Sequence, residues 1–198
     1  MFDQPLRDPT NRIPRSRLLG SCFLASRTKC LQALIWLLIS LPLSTYNPTS
    51  FLLSPTSSTH PLFARILHLD TLGLTTRTRC YTIWYLAEGA LILSGIAFSG
   101  DDLATNTPLW NRMHNVNPFL IEFARNPNTA LANWNVLTAQ WLKQYVYLRL
   151  VRRGERPGFA AVVVALLFST VWVSFYPGYY EMFVCGCLCM LQRVRLRL

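Results

Sequence analysis

Acidic side chains are scarce in this chain. Nine Asp and Glu stand against nineteen Lys and Arg in 198 residues, and only 14% of the residues are charged. A soluble domain carries about 25% charged residues. With 52% hydrophobic residues and 13% aromatics, the deficit excludes an ordinary soluble domain and points to a membrane protein. Lysine is nearly absent too. Only Lys29 and Lys143 occur, so the net charge of +10 rests on arginine. These charges flank apolar stretches and form no single basic domain with interleaved aromatics. Anionic head groups or an anionic acyl donor match them better than nucleic acid. Six cysteines are present, but they lack the Cys-x-x-Cys spacing of a zinc knuckle; Cys185, Cys187 and Cys189 alternate in an apolar run. No metal site is expected. Histidine is limited to His60, His68 and His114, so no imidazole occurs from Asn115 to Leu198. A secretory signal is not expected either, because the chain opens on charged and proline-containing sequence and its first apolar run starts near Leu31.

What is present is a series of apolar stretches separated by polar ones. Residues 1–29 read as an Arg-rich cytosolic or disordered arm. Residues 30–44 are apolar but short of the ~20 residues a spanning helix needs; with Pro42 and then Pro48 interrupting the run, it either spans with a proline kink by borrowing Tyr46 to Leu53 or lies as an interfacial segment. Residues 54–62 read as a Ser/Thr/Pro loop. Residues 80–98 carry Glu88 as their one charge and are the first convincing span. An acid there is costly, and it either pairs with an arginine at a helix boundary or faces a functional cavity. Residues 99–133 read as a long polar connection, of the kind that is often functional. Residues 134–150 read as an amphipathic interfacial helix with Asn133 as its cap, because Trp134, Thr138, Trp141, Tyr145 and Leu148 recur at spacings of three and four. Residues 158–176 form a second convincing span, closed by Pro177-Gly178.

Several segments form an ordered series. Trp84-Tyr85-Leu86-Ala87-Glu88 leads to Ser94-Gly95-Ile96-Ala97-Phe98-Ser99-Gly100. Trp110-Asn111-Arg112-Met113-His114-Asn115-Val116 follows, then Ile121-Glu122-Phe123-Ala124. The helix opening on Trp134-Asn135 comes next, and Tyr176-Pro177-Gly178-Tyr179-Tyr180 ends the series. Taken together they resemble the core of the membrane-bound O-acyltransferases, in particular the fungal-type lysophospholipid acyltransferase branch, over roughly residues 60–184. Asn111 stands where that family has Asp, and Ala97 where it has Gly.

The resemblance implies an all-α, multi-pass transmembrane protein of the endoplasmic reticulum, with two to three spans and an interfacial helix. It also implies a division into an arm (1–59), a partial membrane domain (60–184) and a Cys/Arg-rich tail (185–198). The chain is much shorter than members of the family, so it is expected to be a truncated relative. The implied reaction moves an acyl group from acyl-CoA, as co-substrate, to a lysophospholipid hydroxyl in phospholipid remodelling, with no bound cofactor. That hydroxyl needs a base to take its proton. The family supplies a histidine in a Trp-His-Gly motif and a positioning asparagine. Asn135 matches the asparagine. Glu88, Trp134, Thr138, Trp172, Tyr176 and Tyr179 match substrate-binding positions. Aligning on the Tyr-Pro-Gly-Tyr-Tyr motif puts Trp172 on the tryptophan, Ser174 on the glycine and Val173 on the histidine. Valine cannot accept a proton, so a defective enzyme is expected. The alternative is a non-catalytic membrane protein derived from the family that binds lipid or a partner.

Overall fold

The computed structural model describes residues 15–46, 49–55, 59–102, 105, 107–150, 159–173 and 181. These fall into two compact units, divided between Trp134 and Asn135.

The first unit is built on two 32-residue helices, α1 (Arg15–Tyr46) and α3 (Leu62–Leu93), joined through the short α2 (Ser50–Leu53). They run antiparallel. Cys22 Sγ donates to the Ile92 carbonyl at 3.0 Å and Ser26 Oγ to the Gly89 carbonyl at 2.9 Å, while Trp36 packs edge-on against Tyr81 at 5.0 Å between ring centroids. The α1 side of this seam is made of small residues, with Cys22, Ser26 and Ala33 buried. The large apolar residues face away: Phe23, Leu31, Ile35, Leu38 and Leu41 are each more than half exposed. Small and polar inside with large and apolar outside is how helices associate in lipid, where close backbone approach and interhelical hydrogen bonds replace the hydrophobic effect. Gly89 sits at a close approach of the two helices. A Cβ there would lie 3.1 Å from Cys30 Sγ.

Four sequence expectations change here. The polar arm of residues 1–29 is helical from Arg15 onward, continuous with the apolar run. Pro42 does not end that helix, which runs through it to Tyr46. Leu18–Tyr46 is consequently the one helix among the described residues long and apolar enough to cross a membrane. Conversely, the expected span over 80–98 is cut at Leu93. Gly95 adopts φ +80°, a left-handed conformation glycine takes without Cβ strain, and its N–H bonds back to the Ile92 carbonyl at 2.9 Å to cap the helix.

Beyond this cap the connection is structured. A two-residue antiparallel ladder pairs β1 (Gly100–Asp101) with β2 (Pro108–Leu109). Two short helices follow, α4 (Pro118–Glu122) and α5 (Pro127–Asn133). Both open on Asn-Pro: the Asn117 and Asn126 side chains accept from the backbone N–H three residues on, and the prolines fill a first-turn position that needs no N–H.

The second unit holds α6 (Val136–Leu142), a π-helical turn (Lys143–Tyr147), α7 (Leu148–Leu150) and α8 (Phe159–Val173). The single amphipathic helix expected over 134–150 is thus broken. Asn133 closes α5 instead of capping a longer helix, Trp134 is extended, and Asn135 starts α6. Among the described residues the apolar stretch in α8 is Ala160–Trp172, shorter by itself than a full span. The tail beyond Glu181, including the alternating cysteines, lies outside the described residues.

Candidate acyl-transfer site

Glu88 is buried at 3% exposure in the last third of α3, and its carboxylate is fully engaged. Oε1 accepts from the Asn115 backbone N–H at 2.7 Å. Oε2 pairs with Lys29 Nζ at 2.7 Å, and His114 Nδ1 stands 3.5 Å from the same oxygen. An arginine partner is one expectation from the sequence. The acid is paired, but with one of the two lysines, supplied by α1. Lys29 also lies over the Tyr85 ring, 4.9 Å from its centroid. Glu88 therefore ties three segments together: α1, α3 and the loop at 114–115. No motif flags Lys29, which in the sequence reads only as a flanking charge.

A second carboxylate, Glu122 at the end of α4, is held in the same manner. Arg77 grips it with two parallel bonds, Nε to Oε1 at 2.9 Å and Nη2 to Oε2 at 3.0 Å, and the Tyr81 hydroxyl donates to Oε1 at 2.7 Å. Burial alone would raise the Glu122 carboxyl pKa, but the hydrogen bonds from Arg77 and Tyr81 and the arginine charge outweigh it. They hold the group below its ordinary value. The sequence marks Glu122 within a family segment and Arg77 only as a charge near a span. Their pairing, 45 residues apart, has no local signal.

Trp134 belongs to this first unit. It closes an aromatic cluster, edge-on to Tyr81 at 6.0 Å and to Trp84 at 4.9 Å, beside the fully buried Val116. Trp84 and Glu88 are one helical turn apart on α3, so the structure brings Trp134 near the element that carries Glu88. The Asn117 N–H donates to the Asn133 carbonyl at 3.2 Å, fixing the chain just before Trp134.

In the second unit, Asn135 is the one non-glycine residue with positive φ among the described residues, at φ 46° and ψ 53°. Asparagine is among the few side-chain-bearing residues that tolerate this region. Its carbonyl accepts from the Ala139 N–H at 3.1 Å, while its side chain makes no capping hydrogen bond. Thr138 and Trp172 line one cavity of about 330 Å³ with Leu137, Trp141, Leu142 and Ser169. The walls are mostly apolar, with the hydroxyls of Thr138 and Ser169 among them. Trp141 lies 5.3 Å from Trp172 and 6.1 Å from Phe168, and it stacks on Tyr145 at 5.6 Å. The π-helical turn shifts the register after Leu142, and Tyr145 within it meets Trp141 in that stack. Val173 is the last residue of α8, one helical turn beyond Ser169. Tyr176 and Tyr179 lie outside the described residues. Thr138 and Trp172 are thus brought together, whereas Glu88 and Trp134 share a unit but engage different partners.

The membrane-bound O-acyltransferase family model matches residues 2–197. The lysophospholipid acyltransferase of Schizosaccharomyces pombe is 36% identical over 156 residues, which is 79% of this chain and 30% of the relative. The lysophospholipid acyltransferase of Saccharomyces cerevisiae is 34% identical over 161 residues, 81% of this chain and 26% of the relative. Lysophospholipid acyltransferase 1 of Arabidopsis thaliana is 34% identical over 155 residues, 78% of this chain and 34% of the relative. The matched part of the chain therefore spans about a third or less of the length of these relatives. With a family match over nearly its whole length, the chain belongs to the membrane-bound O-acyltransferase family.

Proposed function

We propose that this chain carries the acyl-transfer region of a lysophospholipid acyltransferase, acting on a lysophospholipid hydroxyl with acyl-CoA as donor, in a multi-pass protein of the endoplasmic reticulum. The left-handed Asn135, placed at the start of α6 with its side chain not spent on capping, carries the reading. Its match to the asparagine of the family motif supports a role in holding a reacting group. The other matched positions divide between two roles. Glu88 stabilises the helical scaffold through its buried pairs, and Trp134 is assigned to substrate contact by motif. Thr138 and Trp172 line a largely apolar cavity, which supports assigning them to substrate contact, and Tyr176 and Tyr179 are assigned with them by motif alone.

The chemistry needs a base. The lysophospholipid oxygen attacks the thioester carbonyl, its proton leaves to the base, and the coenzyme A thiolate departs. Val173 offers no lone pair at the position where the family has histidine. Losing a general base lowers the rate by about 10²–10⁴-fold. The reading therefore makes this chain a weak or inactive acyltransferase, repairable at one residue.

The test is acyl transfer from labelled acyl-CoA to lysophosphatidylcholine. It uses microsomes containing the chain, from yeast lacking its own lysophospholipid acyltransferases. The chain as it stands is expected at background, and Val173→His at least about 100-fold above it, in keeping with a restored base. Asn135→Ala in the repaired chain should return it to background. If Val173→His stays at background, the catalytic reading fails for this chain. Val173 itself favours the second reading, a non-catalytic lipid-binding protein. That reading predicts that brominated lysophospholipid quenches Trp141 and Trp172 equally in the unsubstituted chain and in the Val173→His variant, with no transfer by either.

A further inference from the structure

We propose that Glu122, acting through Tyr81 and steadied by Arg77, is a positioning residue for Trp134. Three observations support it. Glu122 sits on a five-residue helix that cannot hold itself in place, yet its two oxygens receive three hydrogen bonds at 2.7–3.0 Å, all from α3. Tyr81 is completely buried and faces both ways: its hydroxyl donates to Glu122 Oε1, while its ring meets Trp36 at 5.0 Å and Trp134 at 6.0 Å. The backbone bond from Asn117 to Asn133 joins the start of α4 to the end of α5, so displacing α4 also moves the residue preceding Trp134.

The contacts run in one direction, from the arginine to the indole. Arg77 is a planar fork that matches a carboxylate with two parallel bonds, and this fixes the carboxylate plane. A fixed carboxylate fixes the tyrosine hydroxyl, and a tyrosine ring held at both ends presents one edge to the indole. Edge-to-face contacts between aromatic rings depend on angle, so a turned Tyr81 ring no longer fits Trp134 at its 71° interplanar angle. Glu88 has no direct bond to this chain of contacts. Its partners are Lys29, His114 and the Asn115 N–H, and Trp110 is tied separately to Ser21 at 2.7 Å. The proposal rests on the acyl-transfer reading only for what Trp134 would touch.

The experiment uses the whole chain in detergent micelles, labelled with 5-fluorotryptophan, with the Trp134 resonance assigned as the one missing from Trp134→Phe. Glu122→Gln should shift that resonance while leaving Trp110 and Trp172 in place. Tyr81→Phe keeps the ring and removes only the hydroxyl, and it should give a shift of the same sign. Glu122→Asp, which keeps the charge, should restore part of the original position. A Trp134 resonance that stays put in both Glu122→Gln and Tyr81→Phe overturns the proposal. So does one that moves in Glu122→Gln but not in Tyr81→Phe, because the effect would then bypass the hydroxyl. If Glu122→Gln does not fold, Tyr81→Phe alone decides. None of these readouts requires acyl transfer, so a failed activity assay leaves the test intact.

Discussion

The two units hold themselves together by different means. In the first, the contacts are specific and polar. Two carboxylates each take at least two donors, a serine and a cysteine donate across the α1–α3 seam, and a glycine permits close approach. From Asn135 to Val173 the described helices contain no acid, and what packs them is a set of rings, Tyr145, Trp141, Trp172 and Phe168, beside an open cavity. Charge pairs and hydrogen bonds fix one register, because any slip leaves a buried group unpaired. Aromatic packing without such pairs leaves room. The first unit is held by paired polar groups, and the second leaves a cavity beside its rings.

The sharpest way to break this contrast is at Glu88. Glu88→Ala strands Lys29 and the Asn115 N–H against a seam from which water is mostly excluded. Removing one partner of a buried pair costs about 3–5 kcal/mol. Loss of helical circular dichroism on urea titration in detergent should shift by that amount, and a cost under about 1 kcal/mol would show that Lys29 finds water instead. Next in size is Gly89. Leucine there meets Cys30 and Ser26, and overpacking of this kind costs about 1–3 kcal/mol. Gly89→Ala should be near neutral, since Cys30 Sγ can turn aside and alanine favours the helix by about 0.5–1 kcal/mol. In the second unit the corresponding probe is a double-mutant cycle on Trp141 and Trp172. Both rings are exposed in part, so their coupling should be about 0.5–1.5 kcal/mol. A coupling near zero would mean that the rings merely adjoin and that the second unit is held by something other than its aromatic packing.

The candidate site residues can be named from the sequence because motif order survives without tertiary knowledge. Trp134, Asn135, Thr138 and Trp172 are named by their neighbours in the chain, and the structure places Thr138 and Trp172 on one cavity. The helix boundaries are less legible. A run of apolar residues says nothing about where polar sequence joins it, so the helical stretch from Arg15 reads as an arm, and the sequence alone leaves open whether Pro42 sits within a span or ends an interfacial segment; the helix runs through it. Gly95 lies inside an apolar run, where a glycine allows close helix approach or a break, and its positive φ decides for the break. The ion pairs are the least legible. Lys29 and Glu88 are far apart in sequence, as are Arg77 and Glu122, and neither pair has a local pattern.

The smallest expected effect is the pH response of the first unit, and its sign follows from Glu122. The carboxyl is held below its ordinary value in the folded chain, despite burial, by Arg77 and Tyr81. The unfolded chain takes up a proton near about pH 4.3, the folded one only at lower pH. Between the two, unfolding is coupled to proton uptake, so the stabilisation from this group is complete above the unfolded value and is lost as pH falls through the folded one. Arg77 and Glu122 keep 30% and 21% of their side-chain surface exposed, so solvent screens the pair and its contribution should be about 1 kcal/mol or less. Glu122→Gln should flatten the acid limb of the stability curve by that small amount and leave the neutral limb level but lower. A Glu122→Gln chain with an unchanged acid limb would mean that Arg77 and Tyr81 do not favour the charged carboxylate, and the polar character assigned to the first unit would then rest on Glu88 alone.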